Sequence, residues 1–494
     1  MPLLLAAVAG LALYTAFPPL GWGWAAVPAI ALLQVAALRT RRPAMAWGAG
    51  LVFTVAFIAP LMRWLAVVEP EAWVGFVVAH APFFAAYTRL VHAARDWPRW
   101  PRLALVAGGW VGALFLLRWL PVFGIEWADP GYTVVGWEAA RSAAAIWGAS
   151  GWGVLLALAA TGLSVGLVTR DRAVAIAGLA LLAVGFSVGL LVDERPTGDP
   201  YAVAIIQGHP PCESLPCTAS REAITANHLR LTESLDPGPD LVVWPESSAG
   251  FSTDPGQNPA VAEAIAREVD RLDAHLLLGA DRPAGAVNFA NANMLFDPAG
   301  RLVGEYLKQH GVPFGEFVPL RGLVGGIPPF TRVPRDMIPG NGPVILDAGD
   351  VALGTVISFE GAFGRYAREH AALGAEVLVV TTNNSSYGRG SASDQFIAMT
   401  SMRSAELGLD VVHAAVSGKS TIITDGGVPG PRTDNFEEAV VEGTVTLREA
   451  PPTPYARFGD WLAALVLVVA GAIVVRHLVV VSVPSAREPY AVDA

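Results

Sequence analysis

Long apolar runs are concentrated near the two ends of the chain, whereas the middle follows a different pattern. A membrane-spanning helix needs about 20 mostly apolar residues. Stretches of this kind occupy 3–20, 23–38, 45–65, 72–93, 103–120, 145–168, 173–192 and 459–481. The pattern predicts about seven transmembrane helices in 1–195, and one more in 458–494 that leads into a cytoplasmic tail. The first run could instead be a signal peptide, but it lacks a basic start and an A-x-A cleavage site.

Charged residues in the short loops predict how these helices are oriented. Arginines follow every second predicted span, at Arg39, Arg41, Arg42, Arg95, Arg99, Arg102, Arg170 and Arg172. The intervening loops carry acidic residues, at Glu69, Glu71, Glu126, Asp129, Asp193 and Glu194. Since Lys and Arg in short loops stay in the cytoplasm, both termini are expected in the cytoplasm and 196–457 outside it.

The middle segment, 196–457, reads as a soluble α/β domain. Short runs rich in β-branched residues at 201–208, 241–246, 275–281, 292–297, 351–360 and 376–383 predict strands. Helices are predicted between them, at 219–235, 258–273, 362–373 and 392–408. Apolar strands without strict alternation indicate burial on both faces of a sheet. We therefore expect a layered α/β sandwich in this segment.

Composition supports two environments in one chain and excludes one class of partner. The 494 residues are 53% hydrophobic and only 15% charged, far from a soluble average. A net charge of -10 without a Lys/Arg-rich tract argues against binding to nucleic acid.

The two cysteines, Cys212 and Cys217, are four residues apart in the predicted external segment. An oxidising compartment would permit a local disulfide between them. The alternative is two free thiols in a surface loop. Zinc is disfavoured, because no second pair of ligands follows at a suitable spacing.

Charged and nucleophilic residues close several of the apolar strands or follow them. Glu246 ends the 241–246 strand, Lys308 and Glu316 share one segment, and Ser358 and Glu360 end the 351–360 strand. In α/β sheets, sites form beyond the carboxyl ends of the strands. Taken singly, each of these residues could be a solvated surface group, so their order along the chain carries the argument.

In that order the motifs resemble those of the membrane-bound apolipoprotein N-acyltransferases, whose outer domain belongs to the nitrilase superfamily. The matching segments are WPE at 244–246, KQHGVPFGEF at 308–317, ISFE at 357–360, NNSSYG at 383–388 and MRSAELG at 402–408. The resemblance covers nearly the whole chain. It implies a polytopic α-helical membrane protein of about eight spans with an extracytoplasmic nitrilase-like α-β-β-α sandwich, in a bacterial plasma or inner membrane.

The resemblance also implies a ping-pong acyl transfer from a membrane phospholipid to the N-terminal amine of a diacylglyceryl-cysteine lipoprotein. Glu246 would be general base and acid, and Lys308 with the backbone N–H of Phe359 would stabilise the oxyanion. Glu316 and Glu360 would orient Lys308 and the amine, or be purely structural, and Asn383 would shape the pocket. Arg403 and Glu406 are expected to brace the domain. We expect a monomer that needs neither a cofactor nor a metal.

Ser358 departs from the family pattern, which places cysteine at this position. A thiol ionises near pH 8.5 and is intrinsically nucleophilic, whereas a hydroxyl needs a stronger base. Ser358 could be an engineered substitution that stalls the enzyme, a natural nucleophile that forms an oxyester, or the mark of a paralogue without turnover. We expect that Ser358→Cys is required for transfer. Neither Cys212 nor Cys217 is expected to replace the missing thiol.

Two other functions compete with acyl transfer. A membrane scaffold that binds lipid or lipoprotein without turnover would tolerate the loss of cysteine, although it would have no use for buried Glu246 and Lys308. A transporter fits less well, because the first seven predicted spans carry few internal charges and show no inverted repeat.

Overall fold

A computed structural model describes residues 1–209, 221–326 and 333–482 of the chain. Cys212 and Cys217 lie outside the described residues, so the possible disulfide and the alternative of two free thiols are both left untested. The N-terminal part is a bundle of helices, α1 (Pro2–Ala16), α2 (Ala26–Arg39), α3 (Pro43–Leu61), α4 (Leu65–Val68), α5 (Pro70–Ala93), α6 (Arg99–Arg118), α7 (Glu138–Thr169) and α8 (Arg172–Gly189). The helices that follow are α9 (Arg221–Glu233), α10 (Pro259–Leu272), α11 (Arg321–Val324), α12 (Gly364–Ala372), α13 (Ala392–Leu407), α14 (Pro454–Phe458) and α15 (Trp461–Ser482).

Helices occur at all the predicted spans, and six of them are long and apolar enough to cross a membrane. These six are α3, α5, α6, α7, α8 and α15, whereas α1 and α2 have only 15 and 14 residues. The chain is therefore a membrane protein by the length and composition of its helices. The count of eight spans and the orientation of the bundle stay predictions.

The structure differs from the prediction at α7, which starts at Glu138 rather than at 145. The helix contains a kink at Gly148, where φ is 69°. A Cβ at this position would lie 2.3 Å from the Tyr455 ring, so glycine is required both for the backbone conformation and for the close approach. At the kink Gly148 lies against Tyr455 of α14, and the N–H of the next residue, Ala149, donates to Glu406 of α13.

The middle segment forms two β-sheets. Their strands are β1 (Pro200–Gln207), β2 (Leu241–Ala249), β3 (His275–Ala284), β4 (Asn288–Phe296), β5 (Leu302–Leu307), β6 (Asp336–Met337), β7 (Leu346–Ala348), β8 (Val351–Ile357), β9 (Val377–Thr382), β10 (Val411–Ala415), β11 (Thr421–Thr424), β12 (Val428–Pro429) and β13 (Ala439–Thr446). One sheet has the order β13-β1-β2-β3-β4-β5, with β6 paired to β4, and the other has the order β12-β11-β10-β9-β8-β7. In each sheet three central neighbours run parallel: β1, β2 and β3 in the first, and β8, β9 and β10 in the second.

All six predicted strands are present, as β1, β2, β3, β4, β8 and β9. Both β2 and β9 are buried along their whole length, which agrees with their continuous apolar runs. The last predicted strand but one is shorter than expected, because the chain turns at Ser358. The missed strands include very short ones, such as β6, β7 and β12, whose pairing depends on distant partners.

The two sheets pack face to face through a core that includes Val243, Leu277, Ile357 and Val379. Residues of α10, such as Ile265 and Val269, cover the outer face of the first sheet. The outer face of the second sheet is covered by α12 and α13, whose buried residues share one hydrophobic core with the helix bundle. The predicted α-β-β-α layering is therefore present, with one helical layer packed on the bundle.

Candidate active site

Glu246 lies where the regular pairing of β2 and β3 breaks down. The register shifts between Trp244 and Ala249, and Ser247 has a φ of 59°. A bulge of this kind turns a side chain away from the regular alternation of a strand. Glu246 is only 4% exposed, so its carboxylate is held inside the domain.

Lys308 follows β5 and lies between two carboxylates. Its Nζ is 3.1 Å from Oε1 of Glu246 and 2.7 Å from Oε1 of Glu316, and its side chain is completely buried. The backbone N–H of Val312 donates to the other oxygen of Glu316 at 2.7 Å, which fixes the loop that carries it. Glu246 lies 62 residues before Lys308 in the sequence and Glu316 lies 8 residues after it, yet both carboxylates contact the same ammonium group.

Burial and charge act against each other in this cluster. Burial raises the pKa of Glu246, with the Lys308 charge opposing the shift and the Glu316 charge adding to it. The pKa of Lys308 is raised because Glu246 and Glu316 outweigh the effect of burial. Lys308 therefore stays charged, and Glu246 is more basic than an exposed carboxylate, as general base chemistry requires.

Ser358 lies in a turn at the end of β8. Its φ is 53°, in the left-handed region that residues with a Cβ rarely adopt, and it begins a short 3-10 helix, 358–362. Ile357 is paired with Thr381 in parallel strands, so the chain leaves β8 and β9 at the same edge of the sheet. The backbone N–H of Asn383, just beyond β9, donates to Oε2 of Glu246 at 2.7 Å. The structure thus brings the Ser358 turn and Glu246 to the same end of the sandwich.

Glu360 joins the Ser358 turn to the segment that carries Lys308. Its Oε1 accepts from the backbone N–H of Gln309 at 2.6 Å and of His310 at 3.0 Å. Its Oε2 accepts from the N–H of Ile357 at 2.8 Å and from the Tyr306 hydroxyl at 2.9 Å. Burial raises the pKa of Glu360 to about 7, although these backbone donors and Lys308 oppose the shift. Glu360 is a structural clamp between two parts of the candidate site.

Replacing this clamp by an amide is expected to destabilise the domain. Glu360→Gln leaves only one side-chain oxygen for four donors, and unsatisfied buried groups cost about 1–3 kcal/mol each. We expect a lower melting temperature of the full-length protein in detergent, measured by intrinsic fluorescence. Glu442→Gln, at an exposed position of β13, is the matched control and should leave the melting temperature unchanged. Equal melting temperatures for the two variants would contradict the structural role of Glu360.

The helix bundle supplies one wall of the candidate site. The ring of Trp127 lies 6.2 Å from Phe359 and 5.1 Å from Trp64, whose ring is 4.7 Å from Tyr387. Next to them is a narrow apolar cavity of about 90 Å³ between the bundle and the 312–314 loop. It is lined by Met62, Trp64, Phe76, Phe123, Phe314, Phe359 and Tyr387. An aromatic cavity of this kind suits a hydrocarbon chain.

The remaining predicted residues have different surroundings. The Asn383 side chain accepts from the N–H and hydroxyl of Ser385, while its backbone contacts Glu246. Arg403 and Glu406 form a buried ion pair of 2.8 Å and bind the bundle through the Tyr132 hydroxyl and the Ala149 N–H. This pair joins α13 to the bundle.

Sequence reasoning missed Asn291 and the bundle tryptophans. The Asn291 amide donates to Glu246 at 2.7 Å and to Glu316 at 3.2 Å, so it links both carboxylates. A signal was available, because Asn291 and Asn293 lie two residues apart in a strand whose other residues after Asn288 are apolar. No local signal could connect Trp64 or Trp127 with a site formed by residues more than 100 positions further along the chain.

Two family models match separate parts of the chain. The carbon-nitrogen hydrolase model matches residues 202–455, which contain the two sheets and the candidate site. The model of the apolipoprotein N-acyltransferase N-terminal domain matches residues 9–162, within the bundle.

Full-length relatives give a more specific result. The apolipoprotein N-acyltransferase of Geobacter metallireducens is 31% identical, with 96% of this chain and 94% of the relative covered. Those of Mycolicibacterium smegmatis and Methylococcus capsulatus are 29% and 30% identical, covering 95% and 93% of this chain and 84% and 93% of the relatives. The chain belongs to the apolipoprotein N-acyltransferase family.

Proposed function

We propose that the protein transfers an acyl chain from a membrane phospholipid to the N-terminal amine of diacylglyceryl-cysteine lipoproteins. The observation that carries this proposal is the buried Glu246–Lys308–Glu316 cluster at the same sheet edge as the Ser358 turn. The apolar cavity beside the helix bundle is lined by Phe359, next to Ser358, and by Val312, whose backbone N–H donates to Glu316. Family membership supplies the class of reaction, and the cavity supplies a place for a lipid chain.

The first half-reaction would form an acyl-enzyme. Glu246 takes the proton of Ser358 Oγ while this oxygen attacks the ester carbonyl of the phospholipid. Collapse of the tetrahedral intermediate breaks the ester bond, and the lysophospholipid alkoxide leaves with the proton from Glu246. Ser358 then carries the acyl chain as an oxyester.

The second half-reaction would pass this chain to the lipoprotein. The uncharged amine attacks the oxyester carbonyl and gives a proton to Glu246. The Ser358 oxygen leaves as the amide forms and recovers that proton, so the enzyme returns to its starting state. Lys308 and the N–H of Phe359 would stabilise the negative oxygen in both steps.

The positioning roles follow from contacts with the reacting groups. Glu316 and Asn291 hold the Lys308 ammonium and the Glu246 carboxylate in place through hydrogen bonds. Glu360 fixes the two backbone segments around them. Asn383 contributes its backbone N–H to Glu246 and shapes the neighbouring loop. Burying such a charged cluster is costly, which supports a catalytic use.

The arrangement in the membrane is part of the proposal. The 196–457 domain would lie on the outer side of a bacterial plasma membrane, with both termini in the cytoplasm. The protein would act as a monomer on two membrane-bound substrates. A reaction between two lipid substrates explains why the soluble domain packs on a helix bundle.

A second candidate function is a scaffold that binds lipid or lipoprotein without turnover. Ser358 favours it, because a hydroxyl occupies the position where the family pattern has a thiol. The intact cluster around Lys308 argues against it.

The two functions can be distinguished in cells depleted of their own transferase. The measurement is the acylation of the N-terminal peptide of a lipoprotein isolated from these cells. We expect a third acyl chain, seen by mass spectrometry, when these cells express the Ser358→Cys form. Appearance of that chain with the unaltered protein would show that Ser358 itself is active. Absence of the chain with both forms, at equal membrane levels, would refute acyl transfer.

A further inference from the structure

A wide apolar trough of about 600 Å³ lies on the helix bundle and shares no lining residue with the candidate active site. Four helices form it, since α6 and α7 contact each other and α15, and α7 also packs on α8. Its lining includes Leu103, Ala107, Leu158, Gly178, Val466 and Ile473.

Close helix contacts leave this trough between α8 and α15. A Cβ on Gly162 would lie 2.8 Å from Cα of Gly178, so the backbones of α7 and α8 touch. A Cβ on Gly108 would lie 2.6 Å from the Ala470 side chain, so α15 lies close against α6. The Thr161 hydroxyl in the lining already accepts a hydrogen bond from Gln34. The wall therefore suits a hydrocarbon chain.

One end of the trough is positively charged. Arg99 lines it, and α6 begins at this residue without a side-chain cap at Pro98. The helix α8 begins beside it at Arg172. Two helix N-termini with their partial positive charges thus meet two arginines. Asp171 is the carboxylate there, 3.2 Å from Arg99, and it also caps α8.

A third arginine lies on the opposite side of this end. Ile473 of α15 lines the trough, and Arg476 is three residues further along the same helix face. The ring of His477 is 4.7 Å from Trp97, so this part of α15 lies beside the start of α6. Arg99 and Arg476 therefore flank the entrance, and both are exposed.

We propose that the trough binds an anionic phospholipid, with its phosphate between Arg99 and Arg476 and an acyl chain along the apolar wall. Basic pockets between membrane helices recognise anionic headgroups in this way. The α6 helix, about 30 Å long for its 20 residues, separates this entrance from the cavity beside the candidate active site. The lipid would therefore bind in the other leaflet, apart from the acyl donor, and its binding does not depend on the proposed function.

The test uses the full-length protein in nanodiscs that contain equal amounts of phosphatidylglycerol and phosphatidylcholine. The protein is released from the nanodiscs, and the lipid that stays bound to it is identified by native mass spectrometry. We expect an excess of phosphatidylglycerol that falls about fivefold for each arginine removed in Arg99→Gln and Arg476→Gln. Arg41→Gln with Arg42→Gln, two exposed arginines in the α2–α3 loop, is the matched control and should retain the excess.

A second pair of variants tests the trough itself. Ala177→Phe, at an exposed lining residue, should fill the groove and remove the retained lipid, whereas Ala180→Phe on the same helix does not line it and should not. Equal retention of both lipids, or retention unchanged by Ala177→Phe, would overturn the proposal. Dimers that form through this face in place of lipid would also overturn it.

Discussion

Glu246→Gln is expected to slow formation of the acyl-enzyme by about a thousandfold, within the range of general base catalysis. The amide cannot take the Ser358 proton, although its oxygen can still accept from Lys308 or Asn383. Burial and Glu316 make the native carboxylate more basic than usual by raising its pKa. The measurement is the mass gain of the intact protein after incubation with phospholipid, in the Ser358 and Ser358→Cys backgrounds.

The control for this variant is Glu263→Gln on the exposed side of α10. It removes the same charge far from the cluster and should leave the rate unchanged. A Glu246→Gln protein that folds normally and retains more than about a tenth of the rate would exclude Glu246 as the base.

Ser358→Cys is expected to accelerate acyl-enzyme formation by at least about a hundredfold, because a thiolate forms more readily and is the stronger nucleophile. The turn at Ser358 is held by Glu360, so the new thiol would occupy the same place. Neutral hydroxylamine distinguishes the products, since it cleaves a thioester and leaves an oxyester intact.

Ser385→Cys provides a thiol in the nearby 383–388 loop and should not become acylated. If Ser358→Cys reacts more slowly than the unaltered protein, the hydroxyl is the adapted nucleophile. The scaffold function would gain support if neither protein acquires an acyl group.

Much of the architecture could be predicted because its signals are local. The apolar runs before Glu246 and Ser358 identified β2 and β8, and their ends marked where charged groups would meet. The motifs also led to the correct family. Asn291 was missed because an amide inside a strand gains its meaning only from Glu246 and Glu316 across space.

The bundle's share of the site was also missed, for a physical reason. Trp127 is 2% exposed, and its indole N–H donates to Gln395 at 2.8 Å. Composition predicts that such a ring prefers an interface, but not which domain it contacts. Long-range packing decides that question.

The hydrophobic core shared by the bundle and the α12–α13 layer bears on how the protein can be handled. A secreted fragment cut at the domain boundary would expose Phe363, Phe396 and their neighbours to water. A contiguous exposed apolar surface of that kind promotes aggregation. Biochemists who want a water-soluble version will have to redesign that face, because trimming the chain alone leaves it uncovered.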